Sequence, residues 1–139
     1  MVVRKWELGN SKTQMGSEFV QSYKDLEVYR QSYEQAKRLY ALSAKYPKVE
    51  QYALASQVRR AAVSIPLNIA EGYGKVETGK ELLRYLSMAR GSSAELEVLL
   101  DFSKDFGYIS EEEYTQAKEV QEQVGKMLTG LIRSIRSRF

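Results

Sequence analysis

The chain has neither histidine nor cysteine among its 139 residues, so acid–base and nucleophilic chemistry would fall to carboxylates, lysines and tyrosines. Without imidazole it lacks the commonest general base, the commonest metal ligand and every triad built on that ring. Without thiols it has no disulfide, thiolate metal site or cysteine nucleophile, which suits a reducing compartment. The carboxylates near the middle of the chain are Glu71, Glu95, Glu97, Asp101 and Asp105. A di-iron bundle would set such carboxylates beside a Glu-x-x-His motif, and no histidine is available for one. Glu97 and Asp101 stand four residues apart and share a helix face, where a solvated acidic edge explains them more simply than a site. Gly72-Tyr73-Gly74 lacks the third glycine, the preceding strand and the Lys-Ser/Thr ending of a phosphate-cradling loop, and reads as a helix-ending turn. No catalytic residue, metal site or cofactor is assigned, and the chain reads as a non-enzyme.

Binding by cations is the chemistry that remains. A net charge of +3 and a pI near 9.0 permit a nucleic-acid partner without requiring one. The basic residues are unevenly spread: positions 126–139 hold four and no acid, whereas positions 110–122 hold five glutamates and one lysine. Arg59, Arg60, Arg84, Arg90, Lys126, Arg133 and Arg136 are the candidate phosphate contacts, since such side chains carry charge-assisted donors. Ordinary solubilising charge is the competing reading for each. Arg60 lies about 200° from the Val58 stripe and so should face outward. Leu67, one heptad on, shares that face, where a second apolar contact would indicate an oligomer interface. The ten tyrosines are assigned to core or interface packing ahead of base stacking.

These residues need helices to position them. Only two prolines and nine glycines punctuate the chain, too few turn signals for an all-β fold of this size. Residues 1–22 show no periodicity and read as a flexible leader or an expression remnant, leaving 23–139 as one domain. From Asp25 to Lys45, Leu26, Tyr29, Tyr33, Ala36, Tyr40 and Ala44 form one predicted buried stripe, and Tyr46-Pro47 ends that helix. A second helix is predicted over Lys48 to Glu71, with Leu54, Val58, Ala61, Ala62, Ile65 and Ile69 inward and a kink at Pro66. Thr78 with Glu81 opens a third, over Gly79 to Lys104, and Ser110 with Glu113 opens a fourth. Gly91 inside the third helix costs roughly 1 kcal/mol against alanine, which predicts close approach of a neighbouring helix, with a ligand niche as the alternative. Short connections predict an all-α, antiparallel up-down-up-down four-helix bundle. No apolar run reaches the roughly 18 residues of a membrane span, so the expected location is the cytoplasm and no membrane partner is expected.

The run Gln57-Val58-Arg59-Arg60-Ala61-Ala62-Val63-Ser64-Ile65-Pro66-Leu67-Asn68-Ile69-Ala70-Glu71-Gly72 resembles the signature of the four helix bundle proteins named after open reading frames in intervening sequences of bacterial 23S ribosomal RNA genes. Tyr23 to Tyr29, Ala89 to Glu97 and Gly107-Tyr108-Ile109 match further blocks in the right order, so the resemblance covers Tyr23 to Arg136. It implies a bundle that assembles as a ring-like homopentamer. The chain is also similar to the accessory protein of diversity-generating retroelements, which partners a reverse transcriptase and nucleic acid. The implied function is therefore binding of nucleic acid, structured RNA above all, or docking of a partner enzyme as an adaptor. No reaction is implied, and Asn68, Glu71 and Gly72 are expected to serve in helix-end hydrogen bonding.

Overall fold

The structure is a computed structural model in which residues 22–75 and 77–138 are described. The expected leader, residues 1–22, lies outside them except for Ser22. Four helices form an all-α bundle: α1 Glu27–Ser43, α2 Leu54–Lys75, α3 Gly79–Asp105 and α4 Glu111–Arg136. Each packs on the next, and α1 also packs on α4. Among the described residues no helix is long and apolar enough to cross a membrane.

Local chemistry sets the helix ends. Ser110 and Glu113 complete a reciprocal capping box, with Ser110 Oγ accepting from Glu113 N at 3.0 Å and Glu113 Oε1 accepting from Ser110 N at 2.8 Å. Thr78 Oγ1 accepts from Glu81 N at 3.2 Å to start α3. Gly107 adopts a positive φ of 80° after α3, so that Gly107 N reaches Lys104 O and Tyr108 N reaches Ser103 O, both at 2.9 Å. That pairing closes the last turn in the manner of a Schellman motif. Short 3₁₀ turns at Tyr23–Asp25 and Lys48–Glu50 occupy the positions where the helical pattern predicted the starts of α1 and α2.

The core is a continuous cluster that includes Leu39, Val58, Ile65, Ile69, Leu82, Leu86, Leu96, Leu100, Leu128 and Ile132. It corrects the expected stripe of α1. Leu26 and Ala36 are buried as expected and Tyr29 packs half-buried against the core, but Tyr33, Tyr40 and Ala44 are exposed, and Val28, Ser32, Gln35, Leu39 and Ser43 are buried in their place. Polar side chains tolerate that burial because they are paired: Gln35 Nε2 donates to the Ala117 carbonyl at 2.8 Å, and Ser43 Oγ donates to that of Tyr40 at 3.1 Å.

Helix α2 runs through Pro66 and on past the predicted stop at Gly72-Tyr73-Gly74 to Lys75. Gly72 serves packing there. A Cβ on it would lie 3.0 Å from both Leu82 Cδ1 and Tyr85 Cβ of α3. The expected close approach at Gly91 is absent, because a Cβ there would meet nothing within 4 Å. Close packing between α2 and α3 is instead made at Gly72 and, farther along, by the 2.8 Å contact between Ser64 Oγ and Ser92 Oγ.

Candidate nucleic-acid interface

Lys126, Thr129, Gly130 and Arg133 recur at three- and four-residue steps on α4 and therefore share a face. Arg90, Ser93, Ala94 and Glu97 do the same on α3. Where the two faces meet they line a groove of about 610 Å³, completed by Glu122 and Gly125. Its floor is made of small side chains, and the buried Ser93 Oγ is held by Gln121 Nε2 at 2.8 Å. Lys126 and Arg133 stand one heptad apart, about 10.5 Å along the axis, and Arg90 faces them from α3. None of these three cations has an ion pair or hydrogen bond within the described residues.

Toward the start of α4, Glu97 and Asp101 of α3 are engaged by donors from α4. Lys118 Nζ lies 2.9 Å from Asp101 Oδ1 and 3.8 Å from Glu97 Oε1, and Tyr114 donates to Asp101 Oδ1 at 2.6 Å. These donors, Tyr114 first and Lys118 next, hold the Asp101 carboxyl below its usual range. The same contact pushes the Tyr114 hydroxyl up. Arg90, Lys126 and Arg133 take no part in that network, and the groove they line also holds the carboxylates of Glu97 and of Glu122, the latter with no ion-pair partner among the described residues.

The seven predicted phosphate contacts fall in several places. Arg90, Lys126 and Arg133 converge on the α3–α4 groove. Arg59 and Arg60 line a different groove of about 550 Å³ on α2, flanked by Tyr40 of α1 and Met88 of α3, and of the two Arg60 has no partner among the described residues. Arg59 is engaged in the scaffold: it donates to Ser43 Oγ at 3.0 Å, to the Gln51 carbonyl at 2.9 Å and to Gln51 Oε1 at 3.4 Å. Its guanidinium also lies 6.0 Å from the Tyr40 ring centre. Arg84 sits 4.8 Å over the Tyr85 ring, and Arg136 is exposed in the last turn of α4, outside these grooves.

The sequence reading missed an aromatic cleft of about 550 Å³ between α1 and α2, whose lining includes Tyr29, Tyr33, Tyr40, Pro66 and Leu67. The outward placement of Leu67 was its one available signal. Asn68 corrects another expectation, for it lies within α2 and not at its end. Its Nδ2 donates to the Ser64 carbonyl at 2.9 Å and to Ser64 Oγ at 3.0 Å. Among the described residues no group of three or more acidic, histidine or cysteine side chains is placed to hold a metal ion.

Comparison with known proteins places this geometry in a family. A solved structure of a protein of unknown function from the S23 ribosomal protein family of Bacteroides thetaiotaomicron VPI-5482 superposes with a TM-score of 0.70 at 23% identity, covering 76% of this chain and 95% of that one. The likeness supports the four-helix fold. No curated protein matches the chain. The family profile of the 23S rRNA-intervening sequence protein matches residues 24–130, most of the bundle, and the chain belongs to that family.

Proposed function

We propose that this chain is a non-catalytic, self-associating protein of the bacterial cytoplasm that binds structured RNA through the α3–α4 groove. The observation that carries this reading is the convergence on one groove, lined between them by small residues, of Arg90, Lys126 and Arg133, three cations with no partner among the described residues. Cations without intramolecular partners hold their charge and donors ready for phosphate oxygens. Arg60, Arg84 and Arg136 add outlying positive charge, while Arg59 contributes chiefly to the fold. The homopentameric ring implied by the family resemblance belongs to the same proposal, since repeating the groove around a ring would multiply weak phosphate contacts. Titration of fluorescent structured RNA, single-stranded DNA and duplex DNA tests the reading. Structured RNA is expected to bind tightest, and absence of binding to all three would remove it.

A second reading has its own support. The aromatic cleft between α1 and α2 leaves Tyr33, Tyr40 and Leu67 exposed, as an adaptor that docks a partner enzyme such as a reverse transcriptase would. A complex with such an enzyme that is insensitive to salt, from a chain with no nucleic-acid affinity, would favour it.

A further inference from the structure

The α3–α4 groove mixes two chemistries that phosphate binding alone does not explain. Arg90, Lys126 and Arg133 suit phosphate, yet the same groove holds the carboxylate of Glu97, which repels it. Glu97 is held in place without being satisfied. Lys118 Nζ comes only to 3.8 Å from Glu97 Oε1, beyond hydrogen-bond reach, and bonds Asp101 at 2.9 Å instead. A carboxylate offers about four lone-pair sites to donors, and Glu97 accepts no hydrogen bond among the described residues.

Beside that carboxylate lie a donor and an open space. Ser93, one turn before Glu97 on α3, is buried on the groove floor, where Gln121 Nε2 donates to its Oγ at 2.8 Å. With the Gln121 amide so placed, the Ser93 hydroxyl proton has no acceptor and the buried Gln121 Oε1 no donor among the described residues. Buried polar groups left in that state call for a further partner. Gly125 of α4 leaves room for one. The point where a Cβ would stand lies 3.6 Å from Ser93 Oγ and 3.9 Å from Glu97 Oε2, so one bound group filling it touches both. Along α3 the floor thus offers an O–H donor followed by two carboxylate acceptors.

Among the four RNA bases only guanine carries the complement on its Watson–Crick edge: an acceptor, O6, followed by two adjacent donors, N1–H and N2–H. Adenine and cytosine set a ring-nitrogen acceptor next to their amine, and uracil has a single N–H between two carbonyls, so each would turn a lone pair toward the carboxylate. We propose that the Ser93–Glu97 floor reads one unpaired guanine of the bound RNA, with Glu97 accepting from N1–H and N2–H and Ser93 donating to O6. This rests on the structured-RNA reading and names the base its groove selects. Arg90 stands one heptad before Glu97, about 10.5 Å along the axis, comparable to the span from a nucleotide's phosphate to the far edge of its base. The same nucleotide therefore meets a cation that has no other partner among the described residues. Pairing would hide the edge that is read, and loops and bulges are where RNA exposes it.

Four hairpin RNAs that differ only at one unpaired loop position, as guanine, hypoxanthine, adenine or uracil, test this by fluorescence titration at about 50 mM salt. The wild type should bind the guanine hairpin about tenfold more tightly than the adenine and uracil ones, the discrimination that a bidentate base contact supplies. Hypoxanthine, which lacks N2–H, should fall between them. Glu97→Gln should lose the guanine preference yet bind the adenine hairpin at least as well as wild type does, because a negative charge leaves a cation-lined groove. Gly125→Ala, whose methyl makes only ordinary contacts in the free protein, should stay helical by circular dichroism and lose the preference too, by filling the space the base needs. Equal affinity for all four hairpins, or a guanine preference that survives Glu97→Gln, would overturn the assignment while leaving RNA binding by the groove intact. Absence of binding to any hairpin would overturn the structured-RNA reading itself and the guanine assignment with it, so the two failures are distinguishable.

Discussion

Arg59 Nη2 donates to the main-chain carbonyl of Gln51 at 2.9 Å, while the next residue, Arg60, has no partner among the described residues. Adjacent arginines on one helix point to different sides and here do different work. Arg59 ties the start of α2 to the end of α1 through Gln51 and Ser43. Replacing it with alanine leaves those acceptors without their charged donor and should cost about 1–3 kcal/mol in urea unfolding. Arg60→Ala should stay within about 0.5 kcal/mol of wild type. Equal effects would show that Arg59 is not a tie.

Two glycines should respond to alanine with opposite sign. At Gly91 the added methyl meets nothing within 4 Å, so the change should stabilise by about 0.5–1 kcal/mol through helix propensity. At Gly72 the methyl would lie 3.0 Å from Leu82 and Tyr85, and the overpacking should cost about 1–3 kcal/mol, outweighing the same gain. Thermal melts of the two variants check the signs.

Acid should erode the bundle through Glu113 and Asp101. The backbone N–H of Ser110, with Lys45 nearby, holds Glu113 below the usual carboxylate value, and the hydroxyl of Tyr114 with Lys118 does so for Asp101. Both folded values are depressed, so their stabilisation is fully present above the unfolded carboxylate pKa, about 4, and is lost as pH falls through the folded values. Unfolding midpoints measured downward from pH 5 should decline, and Glu113→Gln should show a shallower decline. Solvent screening limits its loss at neutral pH to at most about 1 kcal/mol.

Much of this fold was legible because apolar residues repeat at helical spacing in α2, α3 and α4, and because Thr78 and Ser110 announce their helices. The inward face of α1 was legible only in part, at Leu26 and Ala36, since Ser32, Gln35 and Ser43 make up much of the rest and satisfy their polar atoms by hydrogen bonds that no hydrophobic pattern reveals. The tyrosines next to them then mimicked the core stripe. The end of α2 misled for a related reason, because glycine reads as a stop when its role is to admit Leu82 and Tyr85. Among the candidate cations, charge alone ranked Arg59 with Arg133. Only the fold shows that Arg59 is engaged and that Arg90, from another helix, joins Lys126 and Arg133.

That convergence is tested most directly by the salt dependence of structured-RNA affinity for the wild type and for a variant carrying Arg90→Ala, Lys126→Ala and Arg133→Ala, compared between about 50 and 200 mM salt. The wild type should bind tightly at low salt and lose affinity steeply. The variant should keep its helicity, bind more weakly at low salt and show a logarithmic slope shallower by about 2–3. An unchanged affinity and slope in the triple variant would contradict the α3–α4 groove as the binding surface.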